Sequence, residues 1–225
     1  MSASVGLVFV SHSDKVAAGL VEIARQMAPS VAMAAAGGTD DQAVGTSFQK
    51  VGDAIRAVNS GSGVVILCDL GSAILTAETA IELLDPPGHE VHIVDAPLVE
   101  GAVAAAVAAE TGAPVAEVIA AAQSANRSAP DDAKDPPAAA GGYRRIVTLT
   151  NRDGLHARPA AEFVKLAATF GVPVTVNQVD AKSLLGIMSL GLVSGATVEI
   201  ASDESGGAAA VDALADLVES GFGEK

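Results

Sequence analysis

The sequence predicts two folded domains joined by a linker: an α/β domain over residues 1–122 and a smaller α+β domain over residues 143–225. In the first domain, short apolar runs alternate with segments of helical periodicity, the pattern of parallel strands joined by crossover helices. Residues 123–142 are rich in Ala, Pro, Asp and Gly and include Pro136-Pro137, a composition typical of a flexible linker. After the linker too few long crossovers remain for a parallel sheet, so we expect an open-faced antiparallel sheet with helices on one face.

The apolar runs of the first domain have the pattern of buried parallel strands because they are continuous rather than alternating. Each run precedes a segment with one apolar helical face, and Ser13 or Asp14 is a suitable N-cap for the first helix. The expected strands are 5–10, 31–35, 63–68 and 91–94, and the expected helices lie in the segments 16–27, 51–58, 74–84 and 103–119. In such sheets, helices cover both faces and ligands bind at the carboxyl ends of the strands. His12 and Asp69 each follow a strand end, so we expect them to face one crevice.

The second domain is expected to begin with a strand that leads directly into a helix. Its expected strands are 144–150, 172–178, 180–182 and 196–201, and its expected helices are 157–170, 184–190 and a last one through 211–218. The order of these elements is compatible with antiparallel neighbours, because short connections suffice to join them.

The segment Asn151–Ala161 places a histidine at the predicted start of the first of these helices. Pro159 is well tolerated in a first helical turn, where its missing N–H would have no partner. His156 would then lie beside unpaired backbone N–H groups and the positive end of the helix dipole, which suits an imidazole that carries a phosphoryl group. Arg158 can add a planar cationic fork to the same phosphate. The simpler alternative is a helix-capping histidine beside a solvated arginine.

This segment closely resembles the active-site segment of HPr, the small phosphocarrier of the bacterial phosphotransferase system. The resemblance continues through Lys182–Gly191 and Gly195–Ile200. It implies the HPr open-faced sandwich, with His156 as the phosphorylated residue, typically modified on Nδ1, and Arg158 as the charge-stabilising residue. Ser189 lies in a segment similar to the regulatory serine segment of some HPr proteins, which makes it a candidate regulatory site; a plain surface serine is the alternative.

Three segments of the first domain are similar to the DhaM family, the phosphoryl donor subunits of phosphotransferase-dependent dihydroxyacetone kinase. These segments are Val10–Ser13, Asp69–Ala73 and Ala96–Gly101. The first domain of this family is a mannose-type EIIA domain. The resemblance implies that His12 is phosphorylated, and that Asp69 holds the ring of His12 through one nitrogen and leaves Nε2 exposed.

The resemblance also implies a phosphate relay from phosphoenolpyruvate through enzyme I to His156, and then to His12. The last acceptor would be ADP held by the DhaL subunit, whose ATP phosphorylates dihydroxyacetone on DhaK. Some family members carry an enzyme I-like third domain; this sequence ends at Lys225 without one, so we expect a separate enzyme I. Mannose-type EIIA relatives further imply a homodimer through the first domain.

The composition limits the partners and the compartment. A formal net charge of −14 argues against nucleic acid or an anionic membrane as the main partner. Cys68 is the only cysteine, so no internal disulfide forms, and the absence of a long apolar run or a basic start favours a cytoplasmic protein. No motif indicates a bound nucleotide, cofactor or metal. His89 and His92 are expected to be structural or to face solvent.

Charge is distributed unevenly along the chain. Residues 1–125 carry a net −10 and residues 126–225 a net −4. Arg152, Arg158 and Lys165, with Lys182 further on, cluster in sequence near His156, so opposed local fields would speed docking of this segment on an acidic first domain. Solubility through net charge is the alternative.

The identity of the final phosphate acceptor stays open at this point. A mannose-type sugar-uptake component would pass phosphate from His12 to an EIIB protein, and a regulatory module would have its phosphorylation state recognised by another protein.

Overall fold

A computed structural model describes residues 4–84, 90–126, 142–152 and 154–223. The chain divides into two compact units, Met1–Arg127 (unit 1) and Ser128–Lys225 (unit 2). Residues 127–141 of the predicted linker and His89 lie outside the described residues.

Unit 1 contains a parallel sheet with helices on both faces, which confirms the predicted α/β architecture. The strands are β1 (Gly6–Ser11), β2 (Met33–Gly37), β3 (Val64–Cys68) and β4 (Val91–Val94), in the spatial order β2-β1-β3-β4. The helices are α1 (Asp14–Met27), α2 (Phe48–Val58), α3 (Gly71–Glu82), α4 (Leu98–Glu110) and α5 (Val115–Gln123).

Both faces of the central strands are buried, which explains why their sequences are continuously apolar. Leu7 and Phe9 of β1 belong to the core under α1 and α4, whereas Val8 and Val10 belong to the core under α2 and α3. All of these side chains are fully buried, because successive side chains of a strand point to opposite faces of the sheet. Alanines supply much of the helix surface against the first core, so few aromatic residues are needed to fill it.

Strand β2 differs from its expected bounds, because it begins at Met33 and includes Gly37. Gly37 pairs with Ser11 in the parallel register, so the strand extends beyond its expected end at residue 35. A side chain at Gly37 would collide with the backbone, since a Cβ atom there would lie 2.5 Å from Ser13 O. Gly38 then turns the chain at φ +71°. The glycine pair therefore brings β2 close to the loop that follows β1.

The folded part of unit 1 extends further than the composition suggested. Gln123 ends α5, and Ser124–Asn126 form a short 3₁₀ helix. The side chain of Asn126 donates a hydrogen bond to Asp95 O at 2.7 Å, which ties this segment to the loop after β4.

Unit 2 contains an antiparallel sheet with helices packed on one face, as predicted. The strands are β5 (Tyr143–Thr148), β6 (Thr175–Val176), β7 (Val179–Asp180) and β8 (Thr197–Ser202), in the order β5-β8-β6-β7, and the helices are α6 (Ala157–Ala168), α7 (Leu184–Ser189) and α8 (Ala208–Glu219). Adjacent residues of β5 show the two faces: Val147 is 4% exposed and Ile146 is 64% exposed. Phe163 of α6 and Leu214 of α8 are fully buried in the core.

The expected strand over 172–178 was wrong in its extent, because a turn interrupts it. Asn177 and Gln178 connect β6 to β7 and have φ values of +45° and +71°. Asn177 Oδ1 accepts a hydrogen bond from Glu199 N at 2.8 Å, which fixes the turn against β8. Glycine usually marks such left-handed turn positions, and the sequence has none here.

We predict that Gln178→Gly stabilises unit 2. Gln178 adopts a left-handed backbone conformation that costs a residue with a Cβ atom about 1 kcal/mol, a strain that glycine avoids. Chemical unfolding of the full chain, followed through amides of unit 2, should therefore give a higher midpoint. Gln178→Ala keeps the Cβ atom and serves as the control; an equal gain in both variants would contradict the strain argument.

Candidate functional site

The carboxylate of Asp69 joins the ends of two neighbouring strands in unit 1. Its Oδ1 lies 2.9 Å from His12 Nδ1. Its Oδ2 accepts hydrogen bonds from the backbone N–H of His12 at 2.9 Å and from the hydroxyl of Ser11 at 2.8 Å. The backbone N–H of Leu70 donates to Oδ1 at 2.7 Å. The parallel pairing of β1 and β3 places His12 and Asp69 side by side, as their positions after the two strand ends led us to expect.

These contacts determine which nitrogen of His12 carries a lone pair. Burial disfavours the charged form of Asp69, but the hydrogen bonds from the His12 backbone, the His12 ring, Ser11 and Leu70 outweigh burial and lower the pKa of this carboxyl. An ionised carboxylate only accepts hydrogen bonds, so Nδ1 must be the protonated nitrogen. The lone pair is then on Nε2.

Ser72 contacts this second nitrogen, which the family resemblance led us to expect to be exposed. Ser72 Oγ lies 2.6 Å from His12 Nε2, and with Nδ1 protonated the hydroxyl must be the donor. Ser72 is in the first turn of α3, whose N-cap is Leu70 without a side-chain cap. A group bound at Nε2 would therefore lie beside the amino end of α3, where backbone N–H groups favour an anion.

The loop between β2 and α2 makes a backbone hydrogen bond to His12. The backbone N–H of Gly45 donates to His12 O at 2.9 Å. Thr46 Oγ1 lies 2.7 Å from Thr76 Oγ1, and the Thr76 hydroxyl donates to Ser72 O at 3.0 Å. The histidine and the serine that contacts it are thus connected through side chains of neighbouring elements.

Exposed apolar side chains surround this end of the sheet. We call the set formed by Val44, Phe48, Leu70 and Leu75 the apolar rim; each of these side chains is at least half exposed. Val44 lies in the loop that contacts His12, and Leu70 follows Asp69 directly. Exposed large apolar groups that form one patch are typical of a surface that docks another protein.

Cys68 lies at the end of β3, directly before Asp69. Burial, together with the negative charges of Asp69 and Glu78, raises the pKa of its thiol to about 12. This thiol is therefore protonated at neutral pH.

In unit 2, His156 is the N-cap of α6, as the position of Pro159 predicted. Its backbone is extended at φ −76° and ψ −177°, and its carbonyl accepts the first helical hydrogen bond, from Ala160 N at 2.9 Å. The side chain of His156 is exposed at the surface. Arg158 lies in the first turn, 67% exposed, with Nε 3.6 Å from Glu162 Oε1.

Ser189 and His92, which the sequence analysis also considered, have hydrogen-bond partners other than His12 and His156. The Ser189 hydroxyl, at the carboxyl end of α7, donates to Gly186 O at 2.7 Å. A phosphate there would face the negative end of a helix, which disfavours it. His92 Nε2 lies 3.4 Å from Glu90 Oε1 at the start of β4.

Within the described ranges, His, Cys, Asp and Glu form no group of three or more that is suitable for a metal ion. Among the same residues, no helix is long and apolar enough to cross a membrane.

Family comparisons match both units. The family model of the PTS system fructose IIA component (EIIA-man) matches residues 6–119, and that of the PTS HPr component phosphorylation site matches residues 143–220. The chain is 32% identical to the "PEP-dependent dihydroxyacetone kinase, phosphoryl donor subunit DhaM" of Providencia stuartii, over 98% of this chain and 50% of that protein. It therefore spans about half the length of the relatives that it matches from end to end.

Two shorter relatives each match one unit. The "PEP-dependent dihydroxyacetone kinase 2, phosphoryl donor subunit DhaM" of Listeria innocua is 46% identical over 46% of this chain and 84% of its own length. The "Phosphocarrier protein HPr" of Streptomyces coelicolor is 44% identical over 36% of this chain and 91% of its own length.

We predict that Asp69→Asn destabilises unit 1 in a pH-dependent way. Because folding lowers the pKa of Asp69, its ionised form stabilises the folded state above the unfolded-state pKa of about 3.9, and this stabilisation is lost as the pH falls through the folded-state pKa. The difference in unfolding free energy between wild type and variant should therefore shrink on acidification below about pH 4.

Urea unfolding monitored through β1 amides by NMR measures this difference. Asp53→Asn is the control, because Asp53 forms an exposed ion pair with Arg56 and such pairs contribute little to stability. A difference for Asp69→Asn that stayed constant from neutral to acid pH would contradict the prediction.

Proposed function

Since the chain belongs to the family of DhaM phosphoryl donor subunits, we propose that it relays phosphate from enzyme I through His156 and His12 to ADP on a DhaL subunit. The ATP so formed would phosphorylate dihydroxyacetone on DhaK. The observation that carries this proposal is the contact of His12 Nδ1 with the carboxylate of Asp69, which directs the lone pair to Nε2. The relatives named DhaM are phosphoryl donor subunits, and the match to the HPr phosphorylation site supports a second carrier histidine in the same chain.

In the first step, the ring of His156 attacks the phosphorus of phospho-enzyme I. The P–N bond to the enzyme I histidine breaks as the new P–N bond forms, so the phosphoryl group moves without release to water. The amino end of α6 offers backbone N–H groups to the phosphoryl oxygens, and the exposed guanidinium of Arg158, in the first turn of the same helix, is free to reorient toward them from its 3.6 Å contact with Glu162. Nδ1 is the expected site of attachment by resemblance to HPr.

In the second step, Nε2 of His12 attacks the phosphoryl group on His156. The P–N bond to His156 breaks and its electron pair stays on that ring. The proton on His12 Nδ1 is not transferred, so the phosphorylated ring is cationic and the carboxylate of Asp69 balances its charge. The Ser72 hydroxyl, which contacts Nε2 in the unphosphorylated site, is in position to donate to a phosphoryl oxygen instead.

Charge and apolar contacts both favour the encounter of the two sites. Unit 1 is strongly acidic, whereas Arg152 and Arg158 lie close to His156 in sequence, so electrostatic attraction would raise the rate of association. The apolar rim supplies surface that a partner can cover. We also propose, from the resemblance to mannose-type EIIA proteins, that the chain forms a homodimer through unit 1; regulation at Ser189 stays a prediction.

We predict that His156→Ala prevents phosphorylation of His12 in a mixture of phosphoenolpyruvate, enzyme I and this chain. The relay requires His156 as the intermediate carrier, so addition of a free HPr should restore labelling of His12. His12→Ala should leave His156 phosphorylated, and His92→Ala, which changes a partly exposed histidine of β4, should leave both steps intact. Mass spectrometry under conditions that preserve phosphohistidine measures each site. Label on His12 in the His156→Ala variant without added HPr would refute the order of transfer.

We predict that the phosphorylated chain converts ADP on DhaL to ATP. When DhaK and dihydroxyacetone are added, dihydroxyacetone phosphate should form. Product formation should require His12, so the His12→Ala variant is the matched control. The rate of dihydroxyacetone phosphate formation and the loss of label from His12 are measured together. Transfer of the label to an EIIB protein, with none to DhaL, would favour a sugar-uptake component instead.

A further inference from the structure

The loop that leads into α6 of unit 2 contains one buried polar side chain, that of Asn151. Asn151 is 2% exposed, although it lies in a polar loop only a few residues before His156. Its Nδ2 donates a hydrogen bond to Gly154 O at 2.6 Å, and Gly154 N donates back to Asn151 O at 3.4 Å. A buried amide is costly unless it is hydrogen-bonded, so this side chain has a defined structural task.

The same loop is held on its other side by the segment after α7. Leu155 N donates to Leu192 O at 2.8 Å. Gly154 has φ +69°, and a Cβ atom there would lie 2.3 Å from Leu192 O, so a side chain at this position would push the two segments apart. Gly154 is thus fixed between Asn151 and Leu192, and Leu155 is the only residue that separates it from His156.

We propose that Asn151 is a positioning residue for phosphoryl transfer at His156. This inference rests on the proposed role of His156 as a phosphate carrier. Because Asn151 is buried, its amide contacts neither a phosphoryl group nor a docking partner, and it acts by fixing the carbonyl of Gly154. The backbone from Gly154 to His156 sets where the ring leaves the surface at the start of α6.

A fixed backbone is needed here because the ring of His156 is exposed and must meet its partner in line with the breaking bond. Transfer rates are sensitive to such geometry: a displacement of about 1 Å in a reacting group lowers a rate by as much as about 100-fold. In unit 1 a carboxylate holds the reactive ring directly. In unit 2 the histidine is the N-cap of α6, so the backbone that precedes it sets where its ring leaves the surface.

The test measures the rate at which phosphoenolpyruvate and enzyme I phosphorylate His156 in the full chain. All variants also carry His12→Ala, so that only one site is labelled. Asn151→Ala should lower kcat about tenfold and leave KM for enzyme I within about twofold, since the displaced ring is reached by the same docking surface. Phosphorylation of His156 in the His12→Ala chain with Asn151 intact tests the proposed role of His156 independently of the result for Asn151.

The matched control is Ser202→Ala. The hydroxyl of Ser202, which is 4% exposed, donates to Pro173 O at 2.6 Å and accepts from Glu204 N at 3.4 Å, so this variant also removes a hydrogen bond to a carbonyl. Ser202 pairs with Tyr143, at the end of the sheet opposite the His156 loop. Ser202→Ala should match wild type in kcat even where its thermal stability falls as much as that of Asn151→Ala.

A second variant tests the donor role by its pH profile and is informative if Asn151→Ala does not fold. Asn151→Asp has no donor when ionised and regains one when protonated. The ratio of its charging rate to that of wild type should therefore rise as the pH is lowered from 8 to 5.5. A folded Asn151→Ala with wild-type kcat, an equal loss of kcat in Ser202→Ala, or a flat ratio for Asn151→Asp would overturn the proposal.

Discussion

The arrangement in unit 1 depends on one carboxylate. Asp69 accepts hydrogen bonds from the backbone and ring of His12 and from the hydroxyl of Ser11, and so ties the end of β1 to the end of β3. The parallel pairing of these strands makes the contact possible, and the buried alternation of Leu7, Val8 and Phe9 keeps the strands in register. Packing on both faces of the sheet therefore determines the tautomer of a single imidazole at its edge.

The two units hold the proposed phosphate-carrying histidines, His12 and His156, in different ways. In unit 1 the ring has a side-chain partner on each nitrogen, Asp69 at Nδ1 and Ser72 at Nε2. In unit 2 the histidine is the N-cap of α6, and the loop before it is fixed by backbone contacts with Leu192 and by the amide of Asn151. Both place the ring at the amino end of a helix, where an incoming anion meets backbone N–H groups. Transfer between such similar environments is compatible with movement in either direction.

Patterns local in sequence were sufficient to predict both fold classes, the pairing of His12 with Asp69 and the position of His156 before α6. Features that depend on the exact start of a helix, on a turn without glycine or on the burial of a loop residue were not accessible in this way. Ser72 was part of a family-like segment, but its approach to Nε2 depends on how α3 begins after Leu70. The turn at Asn177-Gln178 was missed because glycine is absent, and its stability derives from the contact of Asn177 with β8. Asn151 lies in a polar loop that the sequence predicts to be solvated, yet its side chain is buried.

The state of Cys68 has a consequence for the neighbouring His12, which we propose carries a phosphoryl group. Sulfur is a good nucleophile only as thiolate, and with a pKa raised to about 12 this thiol is almost never ionised in a cell. The charges that raise this pKa include Asp69, the residue that orients His12. Burial, together with the carboxylate that orients the imidazole, thus keeps the adjacent sulfur protonated, and a protonated thiol is a poor nucleophile toward oxidants, alkylating agents and a phosphoryl group.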